Sequence, residues 1–119
     1  MILGFIGSGK ISSSIIYGIF NSTLKVNKIY ISSRNENIAK KLTKKFRQVK
    51  VLKNNQEIID KSSTIILGIT PNVGNKILSK LKFPRNKKII SLISTINLEK
   101  LKKITKNKNI VRAIPLPPV

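Results

Sequence analysis

Two glycines, Gly7 and Gly9, lie between an apolar run from Ile2 to Ile6 and a second apolar set, Ile11, Ile15, Ile16 and Ile19, spaced as on one face of a helix. Strand, glycine turn and helix in that order can hold a diphosphate. Gly7 permits a tight turn, and Gly9 has no Cβ to keep the backbone away from a pyrophosphate. The helix that follows directs its free N–H groups and positive dipole end at the same point. This is the opening of a dinucleotide-binding βαβ unit, with Ser12 where Gly or Ala is the rule. Serine is still small enough for helix and strand to pack closely. A glycine turn joining any strand to any helix would read the same from the motif alone. Its place at residue 7 of a chain that then alternates strand and helix favours the nucleotide.

The next residues with chemical content are Ser33 and Arg34, at the end of the run Lys28-Ile-Tyr-Ile-Ser32. An NAD site places Asp or Glu here, about 20 residues beyond the glycines, to accept from the ribose hydroxyls. This chain offers hydroxyls and a guanidinium instead, which suit the 2′-phosphate of NADP; NAD is the less favoured cofactor. Ser12, Ser13 and Ser14 fall in the first turn of the first helix, where their hydroxyls can cap free N–H groups or touch phosphate. Gly18, inside that helix, predicts a close approach to a neighbouring element.

Composition excludes much else. There are no Cys and no His, so disulfides, thiolate chemistry and the commonest general base and metal ligand are absent. The four acids, Glu36, Glu57, Asp60 and Glu99, are scattered, so neither a paired-carboxylate site nor a metal site is expected. No side chain is a convincing acid or base, catalytic residues stay unassigned, and a cofactor must carry the chemistry. The formal charge of +20 comes from 20 Lys against 4 Arg, spread over nearly every helix and turn. Bidentate phosphate and base recognition favours Arg, and Lys, Ile and Asn share A/T-rich codons. A nucleic-acid partner is therefore disfavoured. No apolar run of about 18 residues occurs, so no membrane span is expected. No signal peptide is visible, and the cytoplasm is the default.

The elements that must position these residues follow from periodicity. Strands are expected at 2–6, 28–32, 49–51, 64–69, 88–93 and 109–114. Helices are expected at about 11–20, 36–47, 54–61 and 71–81, with a last one capped by Asn97. Asn54 is the expected N-cap of the third helix, with Glu57 three residues on. Six strands with five helical connections make an α/β fold: a Rossmann-type, doubly wound, mainly parallel sheet with helices on both faces.

Six blocks then occur in register: Gly4-Phe-Ile-Gly-Ser-Gly-Lys, Ser32-Ser-Arg-Asn, Asn54-Asn-Gln-Glu, Leu67-Gly-Ile-Thr-Pro71, Ile89-Ile-Ser-Leu-Ile-Ser94 and Val111-Arg-Ala-Ile-Pro115. Together they resemble the N-terminal domain of pyrroline-5-carboxylate reductase over essentially the whole chain. The resemblance implies a domain that binds NADPH, whose hydride reduces a cyclic imine to proline in the last step of proline biosynthesis. It implies phosphate contacts at Ser8, Gly9, Lys10 and Ile11, and an adenosine end near Ser33 and Arg34. Asn55 would reach the cofactor, and Ile69, Thr70, Pro71 and Ser94 would line the nicotinamide side.

Two departures fall on the substrate side. The family usually has Lys where Thr70 stands, and Asn-Thr-Pro where this chain reads Leu116-Pro117-Pro118. The family also continues into a C-terminal helical domain that forms a homodimer and closes the substrate pocket. Residues 1–114 are thus expected to be the NAD(P)-binding domain. Residues 115–119 would be the Pro-rich start of a linker to a domain outside this chain, which would then be a fragment or truncated product. Three alternatives stay open: a non-catalytic dinucleotide-binding module, a polyanion binder, and a related dehydrogenase of β-hydroxyacid or prephenate type.

Overall fold

A computed structural model of the chain describes residues 1–7, 9–69 and 71–113, apart from the side chains of residues 71–73. The apolar runs form strands β1 (Ile2–Ile6), β2 (Lys28–Ser32), β3 (Val49–Leu52), β4 (Thr64–Leu67), β5 (Lys88–Ser91) and β6 (Ile110–Arg112). Between them lie α1 (Lys10–Phe20), α2 (Glu36–Lys45), α3 (Asn55–Lys61), α4 (Pro71–Ser79) and α5 (Leu98–Thr105). Every neighbouring pair of strands is parallel, in the order β3-β2-β1-β4-β5-β6. The expected doubly wound sheet is the observed one.

Strand side chains alternate between two apolar layers, as a pleated strand requires. Leu3, Phe5, Ile29, Ile31 and Ile66 pack with Ile16 of α1 and Leu42 of α2 on one face. Ile6, Tyr30, Ile65, Leu67 and Ile89 pack with Ile58 of α3, Leu78 of α4 and Leu101 of α5 on the other. Both faces are covered, which is why the strands read as unbroken apolar runs instead of alternating ones. Each fully buried Ile or Leu contributes about 1.5–3 kcal/mol of transfer free energy.

Two strands end earlier than their apolar runs. β4 stops at Leu67 and β5 at Ser91, although Ile69 and Ile93 beyond them are still buried. Hydrophobicity reports burial, and here burial outlasts the hydrogen-bonded ladder. Helix α2 stops at Lys45, two residues short of the expectation, because Phe46 turns to an extended φ of −123°. Its ring stacks on Phe20 with centroids 4.3 Å apart. Helix α4 likewise stops at Ser79 rather than Leu81. β6 starts one residue late, at Ile110, and Ile114 lies outside the described residues, as do Pro115 to Val119.

Asparagines cap three helices. The Asn35, Asn54 and Asn97 side chains accept from the backbone N–H groups of Ile38, Gln56 and Lys100 at 3.2, 2.8 and 2.8 Å. Asn54 and Asn97 were expected from spacing. Glu57 pairs with Lys61 at 3.2 Å, one helical turn further on.

Gly18 departs from expectation. A Cβ there would meet nothing within 4 Å, and the residue is exposed, so no neighbour requires its smallness. What is left is the backbone-entropy cost of Gly in a helix. Gly18→Ala is accordingly expected to stabilise the fold by about 0.5–1 kcal/mol. Thermal unfolding followed by circular dichroism measures this, and an unchanged or lower Tm would refute it.

Candidate functional site

At the centre of the sheet β1 lies beside β4, while the chain runs from β1 outward to β2 on one side and from β4 to β5 on the other. Such a switch point opens a crevice at the carboxyl ends of the strands, because the two connecting chains diverge to opposite faces. Gly7 leaves β1 there and Gly68 leaves β4, tied by the Gly68 N–H donating to the Ile6 carbonyl at 2.9 Å. Gly7 has φ +98°, and a Cβ on it would lie 2.7 Å from the Gly68 carbonyl oxygen. A Cβ on Gly68 would lie 2.7 Å from the Ser12 hydroxyl oxygen. Small residues at all three positions let α1 close onto the strand ends, as the size of Ser12 suggested.

The Ser12 hydroxyl does not cap the helix. It is buried without a hydrogen-bond partner among the described residues. Gly9 is the N-cap, with ordinary extended φ −82° and ψ −176°, and brings no side-chain hydrogen bond. The first helical bond runs from Ser13 N–H to the Gly9 carbonyl at 3.0 Å, and no acid lies in the first turn. Where α2, α3 and α5 meet their free N–H groups with an Asn oxygen, α1 presents its own toward the crevice. A Cβ at Gly9 would meet nothing within 4 Å. Neither backbone conformation nor crowding among the described residues requires glycine there.

The crevice has three connected parts. Its widest, about 560 Å³, is bounded by Gly7, Gly9, Gly68, Arg34 and the first turn of α2, within the range of small-ligand pockets. Beside it, at the end of β2, is a recess of about 140 Å³ lined by Ser32, Ser33, Arg34, Lys53 and Asn55. Over the opposite side of α1 lies a third part of about 380 Å³, where Lys10 and Ile11 face Ile69, Leu92, Ile93 and Ser94. Ile69 borders all three.

The described residues singled out in the sequence therefore converge: Gly7 and Gly9 at the centre, Ser33, Arg34 and Asn55 at one end, and Lys10, Ile11, Ile69 and Ser94 at the other. Ser8 and Thr70 lie outside the described residues. Pro71 opens α4, but its side chain lies outside them too. The apolar end is walled mainly by aliphatic side chains, Ile11 being 52% exposed. Arg112 donates to the Ser94 carbonyl at 2.8 Å and holds that wall. No acid lines this end among the described residues.

Several lining residues were not singled out by sequence. Gly68 carried the signal of a glycine directly after an apolar strand. Leu92 and Ile93 read only as core. Glu36 lines the wide part from the first turn of α2, although β2 itself ends without an acid. Lys53 was one more surface lysine. No group of three or more His, Cys, Asp or Glu side chains gathers among the described residues, and no described helix is long and apolar enough to cross a membrane.

Residues 2–98 match the family model described as NADP oxidoreductase, coenzyme F420-dependent. The pyrroline-5-carboxylate reductase of Arabidopsis thaliana is 28% identical over 119 residues, covering 98% of this chain and 43% of that protein. The crystal structure of 1-pyrroline-5-carboxylate reductase from Streptococcus pyogenes aligns with TM-score 0.77 and 27% identity, covering 97% of this chain and 42% of that one. The Plasmodium falciparum pyrroline carboxylate reductase, solved with NADP bound, aligns equally well at 24% identity and the same coverage. The chain thus spans less than half the length of the curated relatives it matches.

Proposed function

The chain belongs to the NADP oxidoreductase, coenzyme F420-dependent family, and from that premise we propose that it is the NADP-binding domain of a pyrroline-5-carboxylate-reductase-like oxidoreductase. The whole enzyme would reduce a small cyclic imine to proline. The observation that carries this reading is the uncapped N-terminus of α1, opening behind Gly7 and Gly9 at the switch point of the sheet.

The residues present fit a dinucleotide. The first-turn N–H groups of α1 face the place of a diphosphate, and Gly9 leaves it room. Ser33 and Arg34 stand at the adenosine end, with Asn55 beside them. Ile11, Ile69 and Ser94 form the mostly apolar end, where a nicotinamide ring would be shielded from water. Bound NADPH supplies the hydride. The protein's part is to hold the reacting face in position and keep solvent off it. Ser8, Thr70 and Pro71 keep the roles that the family resemblance implies.

On this reading residues 1–114 are the dinucleotide domain and 115–119 the start of a linker. By the same reading, a helical domain beyond it closes the imine pocket and forms the homodimer. The cytoplasm, where NADPH is kept reduced, is the compartment this chemistry suits. The lysines serve as solvated faces rather than a nucleic-acid surface.

Titration with reduced dinucleotides tests the reading. The chain has no Trp, so the nicotinamide's own fluorescence reports binding without interference from indole. Saturable binding is expected, with NADPH tighter than NADH by at least about fivefold, since one extra charge-assisted contact is worth about 1 kcal/mol or more. A random DNA duplex at physiological salt is expected not to compete. Failure to bind either dinucleotide would overturn the assignment, and equal affinities would remove the role given to Arg34.

A further inference from the structure

We propose that Lys53 is a specificity-determining residue, the second cation of a clamp that grips the 2′-phosphate of NADP opposite Arg34. This rests on the reading of the crevice as a dinucleotide site and adds to it a residue, Lys53, and a floor, Ser32. β2 and β3 run parallel with Ser32 in register with Leu52. Ser33 and Lys53, the next residues, therefore leave the sheet side by side from adjacent strand ends. Two stretches nearly 20 residues apart in sequence thus bring a guanidinium and an ammonium to one recess of about 140 Å³. That volume is below what a whole ligand needs and suits a single substituent of one.

The floor of the recess is an independent observation. Ser32 is 7% exposed, and its hydroxyl has no hydrogen-bond partner among the described residues. An unpaired buried hydroxyl is costly, and an anionic oxygen in the recess would accept from it. Glu36 borders the neighbouring wide part but not this recess, which no acid lines among the described residues. Neither Arg34 nor Lys53 is in an ion pair among the described residues. Two cations outside any ion pair among the described residues, beside an orphaned hydroxyl in a recess that no described carboxylate lines, form a site for a dianion. A ribose hydroxyl in the same place would leave both charges unanswered, so the recess discriminates as well as binds.

The test compares the full chain with Lys53→Gln and, for the general field of a strongly basic protein, Lys108→Gln, which lies in the loop before β6. Dissociation constants are measured for NADPH, NADH, 2′,5′-ADP, 5′-AMP and inorganic phosphate at 0.15 M salt, where distant charges are screened. Lys53→Gln is expected to weaken NADPH and 2′,5′-ADP about tenfold, while NADH and 5′-AMP change less than twofold. Lys108→Gln should leave all of them within twofold, and Lys53→Arg should restore NADPH. Inorganic phosphate alone should bind far more weakly than 2′,5′-ADP; equal affinity would mean a free-phosphate site and overturn the clamp. If Lys53→Gln keeps the NADPH preference of the parent, or weakens NADPH and NADH alike, Lys53 has no such role while the cofactor assignment stands. If the parent binds neither dinucleotide, both fall.

Discussion

Replacing Gly9 by aspartate is expected to raise the melting temperature of the domain while abolishing dinucleotide binding. The two effects have opposite signs because they depend on different neighbours of one position. Within the protein, Gly9 has φ −82° and ψ −176°, which any residue adopts, and open space where a side chain would go. As N-cap of α1, an Asp would accept from first-turn N–H groups that no side chain among the described residues caps, and would place a negative charge at the positive end of the helix. Those gains total about 0.5–1 kcal/mol. For a dinucleotide the same carboxylate occupies the place of the diphosphate and repels it. A loss of more than about 100-fold in NADPH affinity, about 3 kcal/mol, is expected. Thermal unfolding and fluorescence titration on one preparation measure both. A destabilised variant, or one that binds NADPH within tenfold of the parent, would show that Gly9 serves the fold and not a ligand.

Gly7→Ala should do the reverse and damage the fold itself. At φ +98° an L side chain is strained, which alone costs about 1–3 kcal/mol. The new methyl would also sit 2.7 Å from the Gly68 carbonyl oxygen and 2.9 Å from its carbon, backbone atoms that cannot rotate away. To relieve the contact the loop after β1 must separate from the loop after β4, breaking the Gly68 N–H to Ile6 carbonyl bond. The expected loss is about 3 kcal/mol or more, a drop of roughly 10 °C or more in Tm. Equilibrium unfolding in urea gives the free energy directly. A loss below about 1 kcal/mol would mean that the two loops are not packed as described. On these expectations the glycines of one G-x-G motif are separable: substitution at Gly7 costs the fold, and substitution at Gly9 costs dinucleotide affinity.

Much of this was legible in the chain. The runs Ile2 to Ile6 and Thr64 to Leu67 are apolar at every position apart from Gly4 and Thr64, which only a strand covered on both faces sustains. Asn54 and Asn97 stand just ahead of helical periodicity, and both cap. The smallness of Ser12 pointed correctly to tight packing, but the lack of a partner for its hydroxyl could not be read, since that depends on what α1 is pressed against. Gly18 misled because a glycine in a helix reports permission for a close neighbour, and here no neighbour came. The cap at Asn35 is hard to read from the chain because Asn35 directly follows Ser33 and Arg34, whose residue types suit ligand binding as well as helix initiation.

The sequence by itself determined the alternation of six strands with five helices, the glycine pair before the first helix and the lack of any His or Cys with which to do chemistry. Those features are local: side-chain periodicity, turn permission and residue type need no knowledge of what lies alongside. Tertiary structure alone decided where β4 and β5 leave the sheet, that Gly7 faces Gly68, and that Lys53 and Ser33 leave adjacent strand ends to line one recess with Ser32. Those depend on parallel register between strands joined through helices. Register comes from packing both faces of the sheet at once, and no single stretch of the chain encodes it.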